Sequence, residues 1–69
     1  MELSARNQLT GTIVSIKLGE VMAEVVLDIG GGNEIVSAVT RGSVEGLKLQ
    51  VGQSVYAIIK STEVIIGKD

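Results

Sequence analysis

Cysteine, histidine, phenylalanine and tryptophan are all absent from these 69 residues, and tyrosine occurs once, as Tyr56. Without cysteine there is no disulfide, and without cysteine and histidine the usual ligands of a structural zinc site are missing. The same absences exclude a histidine base or a thiol nucleophile, and no pair of carboxylates is spaced for acid–base work. Glu24 and Asp28 alternate onto one strand face, where they read as solvated surface. The chain therefore reads as a non-enzyme. One aromatic ring provides no platform for stacking bases, and a net charge of −2 provides no basic surface for nucleic acid or an anionic membrane. No apolar run approaches the roughly 18 residues of a membrane span, and the N-terminus lacks the charged and apolar stretches of a secretory leader. These features lead us to expect a soluble cytoplasmic protein.

A chain this short forms one domain over residues 1–69 and buries only roughly 60% of the surface its unfolded form exposes. With disulfides and structural metals removed, self-association is the remaining aid to stability. The core has to be assembled from Val, Ile, Leu and Ala, which pack closely but bury less area each than aromatic side chains.

The order of elements follows from alternation and punctuation. Leu9–Leu18 is rich in β-branched residues and predicts a first strand, and Gly19-Glu20 a two-residue turn with glycine first. From Val21 to Ile29 the residues Val21, Ala23, Val25, Leu27 and Ile29 fall on one face, the cleanest alternation in the chain. Gly30-Gly31-Gly32-Asn33 closes a second hairpin onto Glu34–Val39. A glycine triplet also suggests a phosphate loop, but that motif needs Lys-Ser or Lys-Thr after its last glycine and a long helix beyond, and neither is present. Thr40–Leu47 changes period and predicts a short helix with Thr40 as N-cap. Val51-Gly52-Gln53 turns the chain into a fourth strand, Ser54–Ile59, and Glu63–Ile66 is expected as a fifth. The fold class is thus all-β: a five-stranded antiparallel barrel, closed or partly open and similar to the oligonucleotide-binding fold, with one short helix between strands three and four.

Two polar clusters interrupt the apolar pattern: Ser4-Ala5-Arg6-Asn7-Gln8-Leu9 and Ile58-Ile59-Lys60-Ser61-Thr62-Glu63. Each combines one cation with hydroxyls and a run of backbone N–H groups, which suits a fully deprotonated tetrahedral oxyanion. Arg6 offers a planar fork, Lys60 a point charge, Ser4, Thr40, Ser43 and Ser61 rotatable hydroxyls, and the backbone around Ala5 and Thr62 further donors. Phosphate near neutral pH keeps a proton that needs an acceptor, so a cavity lined only by donors discriminates against it and admits sulfate and larger oxyanions. Plainer readings are open for each cluster: a polar lead-in at Ser4–Asn7, a turn at Lys60-Ser61-Thr62, and a helix cap at Thr40 and Ser43.

Taken in order, Ser-Ala-Arg-Asn-Gln-Leu at 4–9, Gly-Thr-Ile-Val at 11–14, Ala-Glu-Val at 23–25, Val-Thr-x-x-Ser-Val at 39–44 and Ile-Lys-Ser-Thr-Glu-Val at 59–64 resemble the molbindins. These are small molybdate- and tungstate-binding proteins built from one Mop domain of the TOBE class, and the resemblance covers essentially the whole chain. It implies storage of molybdate or tungstate without catalysis, in a homohexamer arranged as a trimer of dimers with sites between subunits. Position by position, it implies oxyanion ligands at Ser4, Ala5, Arg6, Thr40, Ser43, Lys60 and Ser61. Further main-chain sites near a threefold axis would fall around the Gly19 turn or the glycine triplet. One departure stands out: where family members commonly carry Leu-Gly-Leu after the helix, this chain has Leu47-Lys48-Leu49. The competing expectations are a regulatory domain of a molybdate transporter or regulator, and a nucleic-acid-binding module. Met1, close before the first motif, favours a free-standing protein.

Overall fold

The computed structural model describes all residues, Met1–Asp69. Strands β1 (Asn7–Leu18), β2 (Met22–Gly30) and β3 (Asn33–Thr40) precede helix α1 (Arg41–Gly46), and β4 (Ser54–Ile59) leads into a 3-10 turn at Ser61–Glu63. All neighbouring strands are antiparallel, in the order β3-β2-β1-β4. The long β1 serves two partners: Asn7–Thr12 pair with β4, and Thr12–Leu18 with β2. Between Ile13 and Ser15 the β1–β2 register shifts, leaving Val14 without a partner. Such a bulge bends the strand and lets one ribbon belong to two differently inclined halves of a sheet.

The two hairpins use glycine differently. Gly30 pairs with Asn33, and the residues between, Gly31 and Gly32, have φ of 63° and 79°. Positive φ at both positions is the requirement of a type I′ turn. At the first hairpin the N–H of Gly19 donates to Met22 O at 2.7 Å, so the turn residues are Glu20 and Val21, one position later than Gly19-Glu20. Gly19 has no positive φ; its role is clearance, because a Cβ there would lie 2.8 Å from Met22 O. Val21 consequently leaves the apolar face of β2 and is exposed.

Alternation places Ala23, Val25 and Leu27 of β2 beside Ile13 of β1 and Ala57 of β4, and Val44 of the helix completes the buried core. Ile13 is its most deeply buried member at 1% exposure. Ile29, Ile35, Val39, Leu49 and Val55 pack around this core only partly covered. Helix α1 begins as expected, with the N–H of Ser43 donating to Thr40 Oγ1 at 3.0 Å. It ends in a Schellman arrangement: Leu49 N–H donates to Val44 O and Lys48 N–H to Glu45 O, with Lys48 itself at φ 53°. This geometry explains the glycine common in the Leu-Gly-Leu pattern, since the position after the C-cap is left-handed and lysine adopts it under strain.

The sheet has four strands rather than five, and it is open. At the position expected for the fifth strand, Ser61–Glu63 winds into a 3-10 turn, and Val64–Ile66 continue without a sheet partner. The apolar run Val64-Ile65-Ile66 has strand composition, but it follows a 3-10 turn and pairs with no strand of its own chain.

Candidate functional site

The register of β1 against β4 builds the site. Asn7 pairs with Ile59. Just past that pair Arg6 and Lys60 leave the two strand ends side by side, with Ser4-Ala5 before the one and the 3-10 turn after the other. Ser4, Ala5, Arg6, Lys60, Ser61 and Thr62 line one shallow depression at this end of the molecule. Of the seven expected ligand positions, Ser4, Ala5, Arg6, Lys60 and Ser61 are therefore together. Thr62 lies outside that set and joins them as the second residue of the 3-10 turn that begins at Ser61.

Donors dominate the depression. The 3-10 turn forms its first bond from Glu63 N–H to Lys60 O at 2.9 Å, which leaves the N–H groups of Ser61 and Thr62 without an acceptor in the chain. One acceptor on the opposite wall, the carbonyl of Ala5, is occupied by Gln8 Nε2 at 2.7 Å. The two cations have no carboxylate partner: the chain's single ion pair joins Arg41 and Glu45 at the far end. Like charges set opposite each other across an antiparallel register repel. The arrangement thus has two positive charges and free N–H and O–H groups facing one space, and all its residues except Ala5 are exposed.

Thr40 and Ser43 are not part of this cluster. Thr40 pairs with Met22, beyond the Leu18 end of β1, whereas Arg6 precedes the opposite end of that twelve-residue strand. Here the two hydroxyls lie 2.7 Å apart, with Thr40 Oγ1 also accepting from the N–H of Ser43. Whichever hydroxyl donates across this contact, one O–H proton of the pair is left for an outside acceptor. Arg41 stitches the same end together: its N–H donates to Val21 O at 2.8 Å, its Nε to Glu45 Oε1 at 2.7 Å and a terminal nitrogen to Gly19 O at 3.3 Å. No helix is long and apolar enough to cross a membrane, and no cluster of acidic side chains is placed to hold a bare metal ion.

Residues 3–66 match the TOBE domain family. The chain is 54% identical over 67 residues to a probable molybdenum-pterin-binding protein of Haemophilus influenzae, covering 97% of each chain. Among solved structures, a molybdate-binding protein from Sporomusa ovata superposes with a TM-score of 0.91 at 43% identity, over 99% of this chain and 100% of the other. The cytoplasmic molybdate-binding protein ModG, in a form with molybdate bound, superposes with a TM-score of 0.89 at 51% identity, over 94% of this chain and 46% of that longer one.

Proposed function

We propose, from the premise that this chain belongs to the TOBE domain family, that it binds molybdate as an intact tetrahedral oxyanion and holds it without chemical change. The supporting observation is the facing pair Arg6 and Lys60, two cations left without any carboxylate partner beside unpaired N–H groups. A dianion between them converts a repulsion into two charge-assisted hydrogen bonds and neutralises both charges. Similarity to proteins described as molybdate-binding names the ion. Tungstate, of the same charge and shape, is expected to bind in the same way. Residues 1–69 then act as a single Mop-type domain, and the chain serves as a cytoplasmic store, not an enzyme or a nucleic-acid-binding module.

An exposed depression leaves half of a bound ion in water. The remaining donors come from a second copy in this reading, with Ser4, Ala5, Arg6, Lys60 and Ser61 of one protomer meeting Thr40 and Ser43 of another. Within one copy Thr40 and Ser43 do not line the depression, which supports a site shared between copies. The assembly we propose is a homohexamer, a trimer of dimers, in which the open four-stranded sheet is completed to a five-stranded barrel.

Titration calorimetry with molybdate, tungstate, sulfate and phosphate tests this reading. Heat is expected with the first two and none with phosphate, whose proton would meet only donors. Absence of heat with molybdate would end it. A second reading, a sensing module of a larger molybdate-handling protein, has support in one observation: the same module occupies less than half of the longer ModG chain. It requires the same ion and differs only in the partner that reads the bound state.

A further inference from the structure

Gln8, the second residue of β1, does not line the Arg6–Lys60 depression, yet its side chain reaches back three residues and donates from Nε2 to the carbonyl of Ala5 at 2.7 Å. The backbone of Gln8 is fixed by its pairing with Ile58 in β4, whereas Ser4, Ala5 and Arg6 precede the strand and have no ladder of their own. Met1–Arg6 make no other hydrogen bond within the chain. This single contact therefore ties one wall of the depression to the sheet.

What the contact fixes is the direction of one peptide plane. The bond between Ala5 and Arg6 is trans, and across a planar trans peptide the C=O and the N–H point in opposite directions. Drawing the Ala5 carbonyl toward Gln8, which stands outside the depression, turns the N–H of Arg6 the other way. That N–H has no acceptor in the chain, and both residues of the plane line the depression. Rotating the plane would exchange a donor for an acceptor. The exchange matters because hydroxyls such as those of Ser4 and Ser61 turn to either role, whereas a carbonyl accepts in every orientation. A fully deprotonated oxyanion gains from the donor; hydrogen phosphate, which keeps a proton, gains from the acceptor.

We infer that Gln8 is the positioning residue that sets the selectivity of the depression: its side-chain amide locks the Ala5–Arg6 peptide plane with the N–H toward the bound ion and the carbonyl away from it, so that deprotonated tetrahedral dianions are accepted and protonated ones refused. The inference rests on the oxyanion reading above and adds the residue through which the refusal is enforced. The two cations cannot enforce it, because molybdate and hydrogen phosphate carry the same charge and are attracted alike by Arg6 and Lys60. Discrimination between equal charges falls to the pattern of donors and acceptors, and Gln8 controls the one peptide plane of that pattern that a side chain holds in place.

The test is calorimetry on the full chain, on Gln8→Met and on Gln8→Lys, with molybdate, tungstate and phosphate at slightly alkaline pH, where phosphate is the hydrogen phosphate dianion. Methionine keeps the length of glutamine without its donor, and lysine restores a donor of similar reach. Gln8→Met is expected to bind molybdate and tungstate about tenfold more weakly, from the loss of one hydrogen bond to a charged group, and to bind phosphate measurably. Gln8→Lys is expected to return the parent's rejection of phosphate despite its added positive charge. A role in folding alone would weaken all anions together and leave phosphate excluded from Gln8→Met. That result, or an unchanged preference in Gln8→Met, would overturn the inference and leave the oxyanion site standing, whereas a parent chain silent to molybdate would overturn the site reading and the inference with it. A measurement on the parent alone covers variants that do not fold: on saturation with molybdate the backbone amide resonance of Arg6 is expected to move well beyond those of Leu9 and Thr10, and an unmoved Arg6 amide would overturn the inference.

Discussion

Arg6 stands opposite Lys60 because Asn7 pairs with Ile59, so two cations at opposite ends of the polypeptide face one another across the end of a two-stranded ribbon. No acidic side chain relieves them. The protein keeps an unfavourable juxtaposition in the free state that an anion reverses.

Replacing Arg6 or Lys60 by Ala is expected to weaken molybdate binding by about tenfold to over a hundredfold, from the loss of about 1.5 to 3 kcal/mol per charged hydrogen bond. Without molybdate the same variants should be as stable as the parent or slightly more so, since a like-charge pair has been removed. Calorimetry on the liganded state and denaturant titration on the free state check the two halves separately. Destabilisation of the free state would show that the cations serve the fold.

Thr40 and Ser43 separate capping from binding. Thr40→Ala removes the acceptor of the Ser43 N–H and should cost about 1 kcal/mol of stability, whereas Thr40→Ser should cost much less. Ser43→Ala leaves that N–H bond in place and takes away only a hydroxyl. If these hydroxyls complete a site on a neighbouring copy, Ser43→Ala lowers molybdate affinity with an unchanged denaturation midpoint for the free protein.

Lys48 is the position where this chain pays for its departure from Leu-Gly-Leu. With φ at 53° and its N–H bonded to Glu45 O, a lysine holds a conformation that glycine adopts without strain. Lys48→Gly should stabilise the protein by about 1 kcal/mol, read as a higher denaturant midpoint with an unchanged slope. Lys48→Val, β-branched at the same φ, should move the midpoint the other way.

Gly19→Ala is expected to destabilise by about 1 to 3 kcal/mol, because the new methyl group meets the backbone oxygen of Met22 at 2.8 Å and the hairpin has to open to admit it. Gly46→Ala serves as the control: no atom lies within 4 Å of the added carbon, so the helix should be unchanged or modestly stabilised.

Much of this fold is legible in the chain. The alternation of Ala23, Val25 and Leu27 identifies the inner face of β2, the glycine triplet marks the second hairpin, and Thr40 announces the helix, because each is a local effect of backbone and side chain. What escapes local reading depends on long-range geometry. Val64-Ile65-Ile66 has strand composition but gains no partner in its own chain, and Val21 looks like a core residue until the pairing of Gly19 with Met22 places it in the turn. The two clusters, Ser4, Ala5 and Arg6 on one side and Lys60, Ser61 and the Thr62 backbone on the other, were open to a motif reading, and the β1–β4 register brings them together. The distance from there to Thr40 and Ser43 follows only from the strand registers, which put those two residues beyond the far end of β1.

That distance governs how copies multiply. A protomer bearing the paired cations at one pole and the hydroxyl pair at the other is polarised, and a match between unlike poles can repeat in two ways. Two copies laid end for end about a twofold axis satisfy both poles in one stroke, creating a closed pair with twin cavities. A head-to-tail stack instead makes one cavity per junction and leaves an unmatched pole at each extremity, free to grow. Twofold closure would therefore load ions in even numbers and protect the protein from becoming a fibre.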